Sequence, residues 1–451
     1  MEIKKDVVVI GGGPAGIAAS WAAAKSGSSV LLIERYGFLG GMATAGLIGP
    51  IVGHYLSEDE PSVAGFLKIL VEKMSEFDGC EKWENAYKKR GISFDTEIFK
   101  YVSELLLLEQ KVEIFYHSFV ISSKVENGEI KEVEVVNKSG KQKIRGNVFI
   151  DTTGDADVTY FSGFECTKGR PQDGKMQSMG TVFKISGIDE EKLTEDVIKQ
   201  ADEKLRNLRE KGELKIWNTG LGGKESTIRK GERSFNITRF PGDGTNVYDL
   251  TKGEIELREQ TFKLFEFLKK NVPGFENSYI SSLPANIGIR ETRQIKGYYT
   301  LIDEDIISGK KTEDSIARGT YWIDIHCPLG RTKDNVHLCI KECPTKEYCI
   351  MLDKYMDYLP SKNKLRPPIN DYYSIPSGCL IPLGAKNLVV GGRCISSEHK
   401  AMAAIRVMAT CIATGHAAGI IASLSSRNNI PVNKVNIKEV QEIITQQEGV
   451  Y

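Results

Sequence analysis

The stretch from Asp6 to Arg35, DVVVIGGGPAGIAASWAAAKSGSSVLLIER, constrains the fold of this chain more than any other. No charged side chain occurs from Val7 to Ala24, and Lys4 and Lys5 stand just before that run. A basic start followed by an apolar run could announce a secretion signal or a membrane span. Gly11, Gly12, Gly13, Pro14 and Gly16 argue against both, because they sit in the middle of the run and would break an apolar helix. Residues 6–10 are mostly β-branched, as in a strand covered on both faces. Ala15 to Lys25 then reads as a helix stopped by Gly27, and Ser29 to Ile33 as a second strand closed by Glu34. The order is a βαβ unit with Gly11-x-Gly13-x-x-Gly16 at its first turn and an acid at the end of its second strand.

Each residue of that pattern has a physical task. Gly11 permits the tight turn, Gly13 lets the backbone approach a pyrophosphate, and Gly16 lets the helix pack closely on the strand. With Pro14 and Ala15 they place a helix N-terminus, with its free N–H groups and partial positive charge, against the phosphates. Glu34 can accept hydrogen bonds from a ribose diol, and its carboxylate would repel a 2′-phosphate. The expected ligand is a dinucleotide, with NADP disfavoured.

The segments that follow narrow the choice. YGFLGGMATAGLIGP runs from Tyr36 to Pro50, with Gly40-Gly41-Met42-Ala43-Thr44 just after the acid. ISFDTEIFKYVSELLLLEQ reads as a helix leading to the strand VEIFYHS. Asn127-Gly128 and Ser139-Gly140 then punctuate alternating strands, a three-stranded meander. NVFIDTTGDAD reads as a further buried strand that ends in Asp151-x-x-Gly154-Asp155. GIRETRQIKGYYTL and the long block from Tyr373 to Leu424, with NLVVGGR inside it, complete the set. On these motifs the chain resembles the FAD-dependent oxidoreductases of the glutathione-reductase-like superfamily. It is most similar to a bacterial family known simply by that description. The resemblance covers roughly residues 1–165 and 285–425 and is loose between 166 and 285.

The resemblance implies an α/β fold: a discontinuous Rossmann-like FAD-binding domain, a parallel sheet plus the meander, with an inserted α+β substrate or cap domain. The expected boundaries are 1–165 and 373–451 for the two parts of the FAD domain and 166–372 for the cap. It also implies further cofactor contacts at Arg35, Gly40, Gly41, Met42, Ala43, Thr44, Val120, Thr153, Gly154, Asp155, Gly392, Arg393 and Ala404. The helix after Arg393 should pack on the βαβ unit and point its N-terminus at the flavin, where a donor near N1–C2=O favours the reduced ring. No histidine lies in the Gly40–Thr44 segment to link the flavin, so non-covalent FAD is expected.

A flavin carries the redox chemistry, and the protein orients the substrate and handles protons. His399, in SSEHKA, is the first candidate for the proton handler. Arg290, in IRETR, could grip a substrate carboxylate as a bidentate pair, or be bound in a structural ion pair with Glu291 or an acid of the cap. His326, in IDIHCP, is a second catalytic candidate, with Asp324 able to orient it only if the backbone folds back. Arg406 reads as buried and paired rather than catalytic. The expected activity is hydride transfer between a small organic substrate and FAD. The competing reading is a non-redox FAD protein or a subunit of an electron-transfer complex. No second glycine fingerprint follows a strand, so electrons should come from a substrate or a separate partner rather than through a nicotinamide domain.

Composition closes off other classes. Lys plus Arg equals Asp plus Glu at 60 each, so no global field favours nucleic acid or an anionic membrane. The nine cysteines are odd in number and scattered, which points to buried thiols in a reducing cytoplasm rather than a disulfide framework. His337, Cys339, Cys343 and Cys349 cluster, but their spacing matches no common zinc or iron–sulfur pattern, so no metal is expected. The second uncharged run, 407–426, reads as a buried helix and not a membrane span. Partners should be a small-molecule substrate and a separate electron acceptor, with homo-oligomerisation left open.

Overall fold

The computed structural model describes residues 3–216, 219–223, 227–330 and 365–451. The chain starts with strand β1 (Ile3–Ile10), helix α1 (Pro14–Lys25) and strand β2 (Val30–Ile33). Helix α2 (Thr96–Glu109) follows, capped by Asp95, whose carboxylate accepts from the Glu97 and Ile98 N–H groups. Strands β3 (Glu113–Phe115), β4 (Phe119–Glu126), β5 (Glu129–Asn137) and β6 (Gly140–Asp151) come next. Their sheet has the order β3-β2-β1-β6-β5-β4. The pairs β3–β2, β2–β1 and β1–β6 are parallel, and β6–β5–β4 is the antiparallel meander.

The meander and the strand NVFID are therefore not separate elements. β6 is one continuous strand: its first half pairs with β5, and its second half runs parallel to β1. The turn at Asn127-Gly128 is left-handed at both residues, as a two-residue hairpin needs.

The middle of the chain carries a core of its own. Strand β7 (Phe183–Ser186), helix α3 (Glu195–Glu210), strand β8 (Arg233–Phe235), helix α4 (Val247–Asn271) and strand β9 (Tyr279–Ser282) form it. The sheet order is β9-β7-β8, with the Phe183 and Phe235 rings stacked 5.2 Å apart beneath the two helices. Helix α4 begins at Val247, where Asn246 caps it by accepting from the Tyr248 and Asp249 N–H groups.

The C-terminal part returns to the first sheet. Strand β10 (Leu388–Val390) adds parallel to β6. The helix expected after Arg393 is two helices, α5 (His399–Ile405) and α6 (Met408–Asn428), broken at Arg406–Val407. A last helix, α7 (Ile437–Gln446), starts at Asn436, which accepts from the Lys438 N–H. Helix α6 lies on α1 with backbones almost touching. A Cβ at Gly415 would stand 2.1 Å from the Ala15 carbonyl oxygen, and one at Gly419 2.2 Å from that of Ala19. α6 is long and apolar enough to cross a membrane, yet 94% of its apolar window is buried inside the molecule.

Candidate active site

The strand registers bring one edge of the sheet together. Ile10 pairs with Ile33 and with Asp151, and Val390 pairs with Asp151. The residues that follow each strand, Gly11, Glu34, Thr152 and Gly391, therefore meet at the carboxyl ends of the parallel strands, where ligands of open α/β sheets bind. They open onto a cavity of about 370 Å³.

The cradle at this edge is made of backbone. Gly11 has φ +101°, and a Cβ there would lie 2.5 Å from the Thr152 carbonyl oxygen. A Cβ on Gly16 would lie 1.8 Å from the Gly11 carbonyl oxygen, so this glycine closes helix on turn and does not itself line the cavity. A Cβ on Gly13 would meet only the Gly41 Cα, at 3.8 Å, so the N-terminal side of the helix is open. No side chain caps α1, which leaves its first N–H groups for a ligand. These features fit a bound pyrophosphate. Glu34 is buried and its carboxylate accepts from the Gly12 N–H at 2.6 Å and the Tyr36 N–H at 2.8 Å. Burial pushes its pKa up, and those two N–H groups pull it back.

Of the expected cofactor contacts, Gly11, Gly13, Pro14, Ala15, Glu34 and Arg35 line the cavity. So do Gly41, Met42, Val120, Thr153, Gly154, Asp155, Gly392 and Arg393. Gly40, Ala43, Thr44 and Ala404 stand behind that wall. Thr44 Oγ1 donates to the Leu39 carbonyl at 2.6 Å, Gly40 N–H donates to Gly12 O at 2.8 Å, and Ala43 and Ala404 are fully buried. Gly40, Ala43 and Thr44 hold the Gly41–Met42 backbone against the glycine turn, and Ala404 is part of the apolar core. At the next wall Arg393 donates to Asp155 at 2.5 Å, and Thr292 Oγ1 donates to the same carboxylate at 2.8 Å.

The helix N-terminus that reaches the cavity belongs to α6, not to the residues directly after Arg393. Val407, Met408 and Cys411 line it. Beyond them the cavity is lined by Arg290, Asp324, His326, Tyr321, Asn236 and Arg406. Residues 324–326 do fold back: His326 Nε2 and Asp324 Oδ2 are 3.2 Å apart, outside any strand. Burial, with Arg290 and Arg239 facing it, drives the His326 pKa well down, and Asp324 opposes the shift. The ring is therefore neutral near neutral pH.

Arg290 is not bound to Glu291. Its Nη1 donates to the Ser178 carbonyl at 2.8 Å and its Nη2 to Asn236 Oδ1 at 3.4 Å. Burial, then Arg239 and Arg406, push its pKa well below the ordinary arginine value. Arg406 does pair, as expected, donating from Nη2 to the Asp324 carbonyl at 2.8 Å and carboxylate at 3.3 Å, but it also lines the cavity.

His399 is where the structure departs from the sequence reading. It does not line the cavity. Its Nδ1 lies 2.7 Å from the Glu291 carboxylate, which also accepts the Gln177 N–H at 2.8 Å. The helix expected to carry His399 to the cavity breaks at Arg406–Val407, and His399, at the start of α5, is held through Glu291 to the Arg290 segment. Cys379 and Cys394 are fully buried, and burial pushes both thiols up. His337, Cys339, Cys343 and Cys349 lie outside the described residues; among the described residues no His, Cys, Asp and Glu group is placed to hold a metal. Asn236, Arg239 and Tyr321 were not singled out from sequence. The first two fall in the loosely matched middle, and nothing in the stretch FNITRFPGDG sets them apart.

A family model described as FAD dependent oxidoreductase matches residues 6–444. A thiamine thiazole synthase from Aeropyrum pernix is 46% identical over 40 residues, which span 9% of this chain and 15% of that protein. Among solved structures, a geranylgeranyl bacteriochlorophyll reductase-like protein from Thermoplasma acidophilum is 12% identical with a TM-score of 0.43, covering 99% of this chain and 84% of its own. The p-nitrophenol 4-monooxygenase PnpA from Pseudomonas putida is 14% identical with a TM-score of 0.37, covering 66% and 70%.

Proposed function

The chain belongs to the FAD dependent oxidoreductase family and is an FAD-dependent enzyme, and from that premise we propose that it moves a hydride between a small organic substrate and non-covalently held FAD. One observation supports this reading above others. A single cavity runs from the glycine cradle to the group formed by Arg290, Asp324 and His326. A binding platform needs the first end only.

FAD would be held by the turn Gly11–Ala15, Glu34, the Gly41–Met42 backbone and the wall at Gly154–Asp155 and Gly392–Arg393. When bound it supplies the two-electron acceptor or donor. The chain's own residues do the rest. Arg290 orients the substrate. His326, neutral and oriented by Asp324 at 3.2 Å, accepts or returns a proton. The end of α6 at Val407–Met408 turns a helix N-terminus toward the cavity and favours negative charge there. Glu291 and His399 position the Arg290 segment from behind. The glutathione-reductase-like assignment and the boundaries 1–165, 166–372 and 373–451 belong to the same proposal. So does a separate electron acceptor.

The test is the absorbance of the desalted protein before and after acid precipitation, followed by anaerobic reduction with small acids, alcohols and amines. Flavin bands that pass to the supernatant and bleach with a substrate are expected. Bands that stay in the pellet overturn non-covalent binding. A flavin that no substrate bleaches, though dithionite does, overturns the enzymatic reading of the far end.

A further inference from the structure

Three guanidinium groups converge on the far end of the cavity. Arg290 and Arg406 line it, and Arg239 stands beside Arg290: a Cβ at Gly180, itself a lining residue, would lie 3.0 Å from Arg239 Nη1 and 3.2 Å from Arg290 Nη1. The bonds of Arg290 are to neutral oxygens, the Ser178 carbonyl and the Asn236 amide. Arg406 uses Nη2 on Asp324, while its buried Nε has no hydrogen-bond partner among the described residues. Among the described residues, the cavity wall beside Arg290 and Arg406 offers one carboxylate, Asp324, already shared with His326. Glu291 is engaged by His399 and the Gln177 N–H. Arg290 is a buried cation bonded only to neutral oxygens, which is strongly disfavoured, so this corner calls for negative charge from a ligand.

We propose that the substrate carries a carboxylate, and that Arg406 grips it together with Arg290. The inference rests on the far end being the substrate site, and it deepens that reading by naming the substrate class. A planar two-oxygen anion suits the rigid fork of a guanidinium, which presents parallel N–H groups. The cofactor's phosphates are provided for elsewhere, at the glycine turn. The anion also bears on His326. Arg290 and Arg239 hold that ring's basicity down and Asp324 raises it. A carboxylate between Arg290 and Arg406 would offset the arginines and make the imidazole a better proton acceptor when substrate is present. Arg406, from its place in the sequence a structural residue, is then a substrate-binding residue.

The experiment titrates the FAD-loaded protein at constant ionic strength with acetate, glycolate, malonate, acetamide and inorganic phosphate, and follows the difference spectrum of the bound flavin. Saturable perturbation by at least one carboxylate, and none by acetamide, is expected. Arg290→Met and Arg406→Met should each weaken that carboxylate by about 30-fold or more, as removal of one partner of a buried charge pair does. Both variants should keep their FAD-to-protein ratio. Arg406→Lys, which keeps the charge and loses the fork, should fall between, and it carries the test if Arg406→Met does not fold. Equal response to acetamide and acetate, tighter binding of phosphate than of every carboxylate, or unchanged carboxylate affinity in the variants would overturn the proposal. Protein that binds no FAD would instead remove the oxidoreductase reading beneath it. FAD that dithionite bleaches but no carboxylate perturbs removes this inference alone.

Discussion

The two ends of the cavity are built in opposite ways. At the dinucleotide end the lining is largely backbone of near-consecutive residues, Gly11 to Ala15 and Gly41 to Met42, set by strand register and by glycines that let chains touch. At the far end the lining is side chains brought from separate segments: Asn236, Arg290, Asp324 and His326, and Arg406. Backbone recognition tolerates no Cβ but asks little of electrostatics. Side-chain recognition asks for burial of charge, and the depressed basicity of Arg290 and His326 records it. The first end can recognise a common cofactor, and the second can differ from one enzyme to the next.

The sharpest way to break this comparison is at Gly13. A Cβ there has open space, so Gly13→Asp should fold, yet its carboxylate would stand in the phosphate cradle. Complete loss of FAD after desalting, with unchanged circular dichroism, is expected. Gly16→Ala should lose both FAD and stability, because its Cβ would lie 1.8 Å from the Gly11 carbonyl oxygen. A Gly13→Asp protein that retains stoichiometric flavin would refute the backbone cradle.

The same contrast governs what could be read from sequence. Gly11, Gly13, Gly16 and Glu34 were legible because one βαβ unit places them by local geometry alone. The buried run 407–426 was legible as a helix, and its contact with α1 through Gly415 and Gly419 follows from small residues at one-turn spacing. His399 was misplaced because the break at Arg406–Val407, between two helix-prone stretches, carries no proline or glycine to mark it. Arg239 and Asn236 were missed because nothing local distinguishes a polar side chain at or beside a cavity from one on the surface. Only the packing of β8 and α4 decides it.

Between the two ends stands Arg393, half-way in character: a side chain, but one fixed by Asp155 at 2.5 Å with both groups mostly buried. Arg393→Met should cost about 3 kcal/mol of stability, the usual penalty for orphaning a buried charge. Adding Asp155→Asn should recover most of it. Thermal unfolding of the two variants checks this, and no recovery in the double variant would show that Arg393 acts through packing.

His416 and His54 are buried, and burial lowers both pKa values to about 4. Above the unfolded value of 6.5 both rings are neutral in folded and unfolded chain, and their full contribution to stability is present. As the pH falls from 6.5 towards 4 the unfolded chain takes up protons that the folded one refuses, and stability falls, by up to about 3 kcal/mol per ring. His416→Gln, which can keep the contact to Gln447, should flatten the slope of unfolding free energy against pH by about one proton. An unchanged slope would mean that His416 titrates normally.

The smallest expected effect tests whether even the dinucleotide end depends on a charge. Both oxygens of Glu34 accept backbone N–H groups, from Gly12 and Tyr36. Glu34→Gln keeps size and shape but turns one acceptor into a donor that faces an N–H. One charge-assisted bond is lost, about 1.5–2 kcal/mol, and the glycine turn loosens at Gly12. FAD affinity should fall roughly 10- to 30-fold, read by fluorescence of released flavin on dilution, while carboxylate affinity of the still-loaded fraction stays as before. If both affinities fell together, the two ends would be one coupled unit, and the separation of backbone from side-chain recognition along this cavity would be wrong.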